Sequence, residues 1–168
     1  MIKQNFTVFD NFLKTDIQYE FENLFYKKDN MTFFLQNKHK LKKNNLCFTH
    51  NIVNHPSVNS NLFESMTPFL KHMDIHSTRD ILKLEFRLLP RSNEFLETDF
   101  QNDFEQKHYT LIYNINNNNG YLKLNDGTII KNKPNRAVIF ENNLQYSQSN
   151  CTDELGTYCL VLNYLDNK

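Results

Sequence analysis

Glu97-Thr98-Asp99 places two carboxylates at i and i+2, and an extended chain turns such a pair to one side. The pair could hold a divalent metal or share acid and base work, although a solvated acidic turn is the commoner use of such residues. His72 and His76 are four apart, the spacing of two ligands on a helix face. No Glu follows His72, so the HExxH pattern is missing. Histidines at a helix end, favoured by the C-terminal dipole when charged, explain them better. His50 in Phe48-Thr49-His50 and His108 before Tyr109 each stand alone and read as surface or core-edge residues. Cys151 and Cys159 read as small buried hydrophobes. Three glycines are too few for a phosphate-cradling loop.

These groups need elements to position them. From Thr15, Ile17, Phe21, Leu24 and Phe25 share one helix face, with Asp16 and Glu20 early and Lys27 and Lys28 late, matching the dipole. A second helix is predicted from Ser60 to Asp74. Its apolar face is Leu62, Phe63, Met66, Phe69, Leu70 and Met73, with a kink or interruption at Pro68. The polar, basic stretch 37–45 between them predicts an exposed loop. From Ile81 the period becomes two. Leu82, Leu84, Phe86 and Leu88 alternate with Lys83, Glu85 and Arg87, which predicts a half-buried strand. Shorter strands are predicted at Tyr109–Ile115, Tyr121–Leu124, Thr128–Ile130, Arg136–Phe140 and Thr157–Leu165. Asn116 to Gly120, Asp126-Gly127 and Pro134-Asn135 supply turns between them. Helices first and short strands after give an α+β sandwich or barrel.

The bulk properties narrow the class. One domain fits 168 residues, residues 1–168 throughout. A net charge of zero argues against a nucleic-acid partner or an anionic membrane surface. No apolar run is long enough to span a bilayer, and the N-terminus has no signal-peptide pattern. Three cysteines without CxxC spacing suit a reducing compartment, the cytoplasm of the producing cell. Ala occurs once, as Ala137, while Asn, Lys, Phe and Ile abound, as an AT-rich genome would dictate. Phe and Tyr replace the missing small apolar residues as the source of buried area, so the negative mean hydropathy does not imply disorder.

A run of short motifs covers nearly the whole chain in order. They are Asp10-Asn11-Phe12-Leu13, Phe48-Thr49-His50, Leu88-Leu89-Pro90-Arg91, Thr98-Asp99-Phe100, Asn118-Asn119-Gly120-Tyr121 and Asp126-Gly127-Thr128. The densest stretch follows: Asn135-Arg136, Val138-Ile139-Phe140, Asn143-Leu144, Cys151-Thr152-Asp153-Glu154 and Asn163-Tyr164. Together they resemble the small 2-oxoglutarate- and Fe(II)-dependent oxygenase-like proteins encoded by tailed phages. The resemblance implies a double-stranded β-helix (jelly roll) with the two N-terminal helices packed on one sheet.

The family's chemistry uses His-x-Asp, a distal His and an Arg. Two imidazoles and a carboxylate hold Fe(II) on one face, and the Arg fork grips 2-oxoglutarate. On this sequence the resemblance puts Glu97 at the first His, Asp99 at the Asp, Tyr146 at the distal His and Thr157 at the Arg. Arg136 matches a different family residue. Three of four positions have changed, so no metal is expected at Glu97, Asp99 and Tyr146, and no 2-oxoglutarate at Thr157. No cofactor is expected; a chain still catalytic would take Fe(II) and 2-oxoglutarate. The resulting expectation is a non-catalytic phage protein, a virion component or protein-interaction module. Its partners would be other proteins, including virion components or copies of itself, with no nucleic acid and no membrane. It would sit in the host cytoplasm and enter the virion rather than be secreted. Two alternatives stay open. One is a divergent oxygenase or metal enzyme with a rearranged site that draws on Glu97, Asp99, Tyr146 or His108. The other is a small-molecule or peptide binder whose cleft is lined by Tyr109, Tyr113, Tyr121 and Tyr146.

Overall fold

Two periodicities in the sequence become two layers. A computed structural model describes residues 5–27, 31–35 and 46–165. The predicted loop over 37–45 lies outside the described residues. In chain order come β1 (Phe6–Asp10), α1 (Thr15–Lys27), β2 (Phe34–Leu35), β3 (Phe48–Asn54), β4 (Ser57–Val58), a 3-10 segment (Asn61–Met66) and α2 (Thr67–His72). A 3-10 turn (Thr78–Asp80) then leads into β5 (Ile81–Pro90), β6 (Tyr109–Asn114), β7 (Tyr121–Leu124), β8 (Ile129–Lys131), β9 (Arg136–Glu141), β10 (Tyr146–Gln148) and β11 (Gly156–Tyr164). The large sheet runs β1-β9-β6-β11-β5-β3-β2, with β4 beside β3, and the small sheet runs β10-β7-β8. All pairings are antiparallel. Residues 97–101 extend the small sheet through isolated bridges to β10. The two sheets face each other as a double-stranded β-helix, and both helices pack on the outside of the large one.

The helical faces read from the sequence are buried or partly buried wherever their side chains are described; that of Phe25 lies outside the described residues. Phe21 and Leu24 of α1 meet Leu62, Met66, Phe69 and Leu70, and all rest on Leu84, Phe86, Leu111, Tyr113, Leu160 and Leu162 of the large sheet. Phe21 stacks on Phe69 at 5.4 Å and meets Tyr113 edge-on at 5.5 Å. Each such side chain contributes about 1.5–3 kcal/mol by leaving water. Pro68 does not kink one long helix. It falls in the first turn of α2, where its missing N–H costs nothing, and the preceding turns are 3-10, capped by Ser60 Oγ accepting from Leu62 N.

One expectation is corrected here. β5 is not half-buried: Lys83, Glu85 and Arg87 are 8%, 3% and 1% exposed. The strand lies between β11 and β3, so its second face looks into the barrel and not at water. Period two distinguishes faces, but it does not say that the polar face is wet.

β1, β2, β3, β4 and β10 are strands that the sequence reading does not contain. β1 joins the sheet edge beside β9, with Val8 opposite Val138 and Asp10 opposite Arg136. Asn135 fixes this junction. It takes a left-handed φ of 56°, which Asn tolerates. Its Oδ1 accepts from Leu13 N at 2.8 Å, and its Nδ2 donates to Leu13 O and Gln18 Oε1.

Candidate functional site

The barrel interior is lined by alternate residues of the large sheet. Arg87 opposes Cys159, Glu85 opposes Val161 and Lys83 opposes Asn163 across the β5–β11 pair. β10 adds Tyr146 and Gln148 from the facing sheet. Arg87 Nε donates to Glu85 Oε1 at 2.6 Å and Nη1 donates to Gln148 Oε1 at 2.9 Å. Its guanidinium carbon sits 5.7 Å from the Tyr146 ring centroid. Lys83 Nζ bridges Glu85 Oε1 at 2.9 Å and Asp103 Oδ1 at 3.0 Å. Asp103 Oδ2 accepts from the Tyr146 hydroxyl at 2.9 Å and from Asn163 Nδ2 at 3.2 Å. His108 Nε2 lies 3.4 Å from Asn163 Nδ2, and its Nδ1 faces Gln106 O at 2.8 Å.

Two cations thus meet two carboxylates almost out of water. Burial alone would raise the carboxyl pKa of Asp103, but Arg87 and Lys83 hold it well below the usual range. Glu85 is lowered by the same cations against the same burial. Burial opposes the Arg87 charge, yet Tyr146, Glu85 and Asp103 outweigh it and the guanidinium stays protonated. Burial pushes the Tyr146 hydroxyl well above its ordinary value despite Arg87, so it is a proton donor here. Burial likewise raises Cys159 to about 11 and Cys47 to about 12, which leaves both as unreactive thiols.

The residues that the sequence resemblance assigned to the oxygenase positions go to separate places. Tyr146 is in the barrel network. Glu97 Oε1 accepts from the Tyr121 hydroxyl at 2.8 Å and pairs with Lys123 Nζ at 3.2 Å. Leu122 and Leu124 point into the barrel core, so Tyr121 and Lys123 mark the small sheet's outer side. Asp99 is half-buried and makes no side-chain hydrogen bond or ion pair among the described residues. The run that carries Glu97 and Asp99 is not a regular strand. The chain advances four residues from Glu97 to Gln101 while β10 retreats three from Ser149 to Tyr146, so an extra residue breaks the alternation. Thr157 Oγ1 donates to Asn118 Oδ1 at 3.1 Å, against Gly120, where an added Cβ would come within 2.8 Å of that hydroxyl. Arg136 shares the face of β9 that carries Val138 and Phe140, but at the sheet edge it grips Asp10 with Nε at 2.6 Å and Nη2 at 3.0 Å.

The remaining candidates scatter too. His72 ends α2 with its ring edge-on to Phe12 at 4.8 Å, and His76 lies past the helix, paired with Asp74 at 2.9 Å. His50 bridges Thr32 O and Ser60 Oγ, both at 2.8 Å. The proposed tyrosine cleft does not form. Tyr113 belongs to the helix-side core, Tyr109 stacks on Tyr164, Tyr121 lies outside the small sheet and only Tyr146 faces the barrel. Period two places Tyr109 and Tyr113 on the opposite face from the barrel-lining Thr110 and Ile112.

No family model matches the sequence, and no curated protein does. Solved structures do match. A prolyl hydroxylase from Trichoplax adhaerens, in complex with a hypoxia inducible factor oxygen degradation domain peptide, superposes with a TM-score of 0.68 at 15% identity, over 98% of this chain and 84% of that one. A prolyl-4-hydroxylase from Pseudomonas putida gives 0.64 at 11%, over 99% and 95%. An oxidoreductase of the 2OG-Fe(II) oxygenase family from Burkholderia pseudomallei gives 0.66 at 10%, over 95% and 84%. The fold is that of the 2-oxoglutarate/Fe(II) oxygenases.

That likeness corrects one expectation, that the chain takes no cofactor. The solved structures sharing this oxygenase fold include a member of the 2OG-Fe(II) family by name, so Fe(II) and 2-oxoglutarate are the cofactors to which the fold points. The residues that the sequence resemblance assigned as ligands do not fit them. Glu97 is tied to Lys123, Tyr146 is a protonated donor to Asp103, and Thr157 carries no charge. Among the described residues no three His, Cys, Asp or Glu side chains gather as metal donors. No helix among them is long and apolar enough to cross a membrane.

Lys83, Glu85, Arg87, Asp103, Gln148 and Asn163 are the polar centre that the sequence reading missed. The signal was present in Lys83-x-Glu85-x-Arg87: alternating opposite charges on the longest strand, which in a barrel of this order has no solvent face.

Proposed function

We propose that this chain is an oxygenase-fold protein that does not oxidise a substrate at the family's site, and that it works as a protein-interaction module. The observation that carries this is Tyr146. Where the family has an imidazole, this chain has a buried hydroxyl committed to Asp103, beneath a guanidinium. The outer side of the small sheet supports the second half of the reading. Phe95 and Ile129 are 45% and 56% exposed there, beside Tyr121 and Lys123, a mixture suited to protein contact. The partners proposed are phage virion components or further copies of the chain. Succinate release from 2-oxoglutarate, with Fe(II), ascorbate and oxygen, tests the first half. No release above the protein-free blank is expected, and a protein-dependent rate overturns the reading. Peptide mass spectrometry of purified virions from the producing phage tests the second: the chain is expected at a fixed copy number, and its absence overturns the virion assignment.

A second reading has one observation in its favour, the oxygenase identity of the solved structures that share the fold. On that reading Fe(II) and 2-oxoglutarate bind through a rearranged donor set, and the same succinate assay decides it.

A further inference from the structure

We propose that the barrel interior is a binding site for a small carboxylate, filled here by the chain's own Asp103. The proposal does not depend on whether the protein turns over 2-oxoglutarate.

Asp103 comes from no strand. It sits in the irregular run between residues 97–101 and β6, where Asn102, Glu105, Gln106 and Lys107 are exposed. Its side chain is nevertheless only 1% exposed. The run has lowered one carboxylate into the barrel. The groups that receive it are donors from three strands: Lys83 Nζ of β5 at 3.0 Å, the Tyr146 hydroxyl of β10 at 2.9 Å and Asn163 Nδ2 of β11 at 3.2 Å. Arg87 Nη2 stands 3.6 Å from Oδ2, an ion pair too long for a hydrogen bond. This is the donor set of a carboxylate receptor.

The fit of the tethered carboxylate is incomplete. Arg87 Nη2 and Asn163 Oδ1 are buried without a hydrogen-bond partner, in residues that are 1% and 0% exposed. Orphaned polar atoms in a dry interior are costly; the Arg87 N–H is one that a carboxylate oxygen satisfies, whereas Asn163 Oδ1 is an acceptor and needs a donor such as water. A free carboxylate, not held at a fixed distance by its own backbone, can approach Arg87 closely enough to take both Nη2–H and Lys83. The charges agree. Without Asp103, Lys83 and Arg87 face Glu85 alone among the four, which leaves one positive charge in excess where the dielectric is low. A monoanion of formate or acetate size replaces what an Asp→Ala change removes.

The test is thermal unfolding of the parent and of Asp103→Ala in sodium formate, sodium acetate and sodium chloride at matched ionic strength. In chloride the variant is expected to melt below the parent. Formate or acetate should then raise its Tm by several degrees, saturably, while the parent gains nothing beyond the chloride effect. Asp103→Asn keeps the volume filled and should show no carboxylate response, and Arg87→Met added to Asp103→Ala should abolish it. An equal response to chloride and formate, or none that saturates, overturns the proposal. So does a formate response in Asp103→Asn as large as in Asp103→Ala. If Asp103→Ala is unfolded as purified, refolding it in formate and in chloride replaces melting as the readout. Recovery of the parent's far-UV spectrum in formate alone supports the site, and no difference between the salts overturns it.

Discussion

Leu84 and Glu85 are neighbours on β5 and both are buried, but in different surroundings. Leu84 enters a core of Phe21, Phe69, Phe86 and Leu162, where fit and area are everything. Glu85 enters the polar barrel interior, where its stability depends on Arg87 and Lys83 being charged beside it. The large sheet thus separates two kinds of interior. The helix side tolerates changes that keep shape. The barrel side tolerates changes that keep charge balance, because one missing partner strands another.

That contrast can be broken most severely at Arg87. Arg87→Met should cost about 3–5 kcal/mol, since Glu85 and Asp103 lose their main cation in a dry site. Urea unfolding at neutral pH measures it, and a loss near zero would mean the network is not electrostatically coupled. Leu84→Ala on the opposite face should cost about 3 kcal/mol through lost area and a cavity. The two losses should differ in their response to acid. Arg87→Met should be less damaging at low pH, where the stranded carboxyls take protons; Leu84→Ala should cost the same throughout.

The parent has its own acid dependence. Glu85 and Asp103 have folded-state pKa values below their unfolded ones. Their contribution is therefore complete above an unfolded carboxyl pKa of about 4 and is lost as pH falls below it. Stability measured from neutral pH to about pH 3 should decline in the parent. The decline should shrink in a variant whose Lys83, Glu85, Arg87 and Asp103 are all replaced by apolar residues of similar volume. Such a variant should be about as stable as the parent at neutral pH, because replacing a whole buried network restores balance where deleting one member does not. A collapse of the fourfold variant would show that the network also selects the fold. The smallest effect belongs to the half-exposed Asp10–Arg136 pair. Asp10→Ala should cost at most about 1 kcal/mol, and salt should reduce that further.

The helix-side interior was legible because apolar residues have one destination. Phe21, Leu62, Met66, Phe69 and Leu70 recur at helical spacing and were all placed correctly. β6, β7, β9 and β11 were legible for the same reason, with Asp126-Gly127 and Pro134-Asn135 as turns; Gly127 takes a φ of 91° that its neighbour's side chain could not. The barrel-side interior was not legible. Lys83, Glu85 and Arg87 have the pattern of a wet face, and only the strand order reveals that the face is dry. Asp103 offered no local signal at all, because its role comes from where an irregular run delivers it. β1 was missed because Phe6-Thr7-Val8-Phe9-Asp10 is an exposed edge with no alternation to read. Tyr146 and Thr157 were singled out by resemblance, and Tyr146 alone of the four resemblance positions joins the polar centre.

The junction between β1 and β9 sets an order of events during synthesis. β1 leaves the ribosome long before its partner strand, Arg136–Glu141, and Leu13 waits for Asn135, 122 residues later. Until then Phe6 to Asp10 has no sheet to join, while β3 and β5 can pair and the helices can settle on them. Pairing over such a span makes for slow closure, and the unjoined edge is open to mispairing while it waits. Phe6 to Asp10 are therefore made well before they can find their place, and a nascent chain stalled short of Glu141 presents them to whatever chaperone is near.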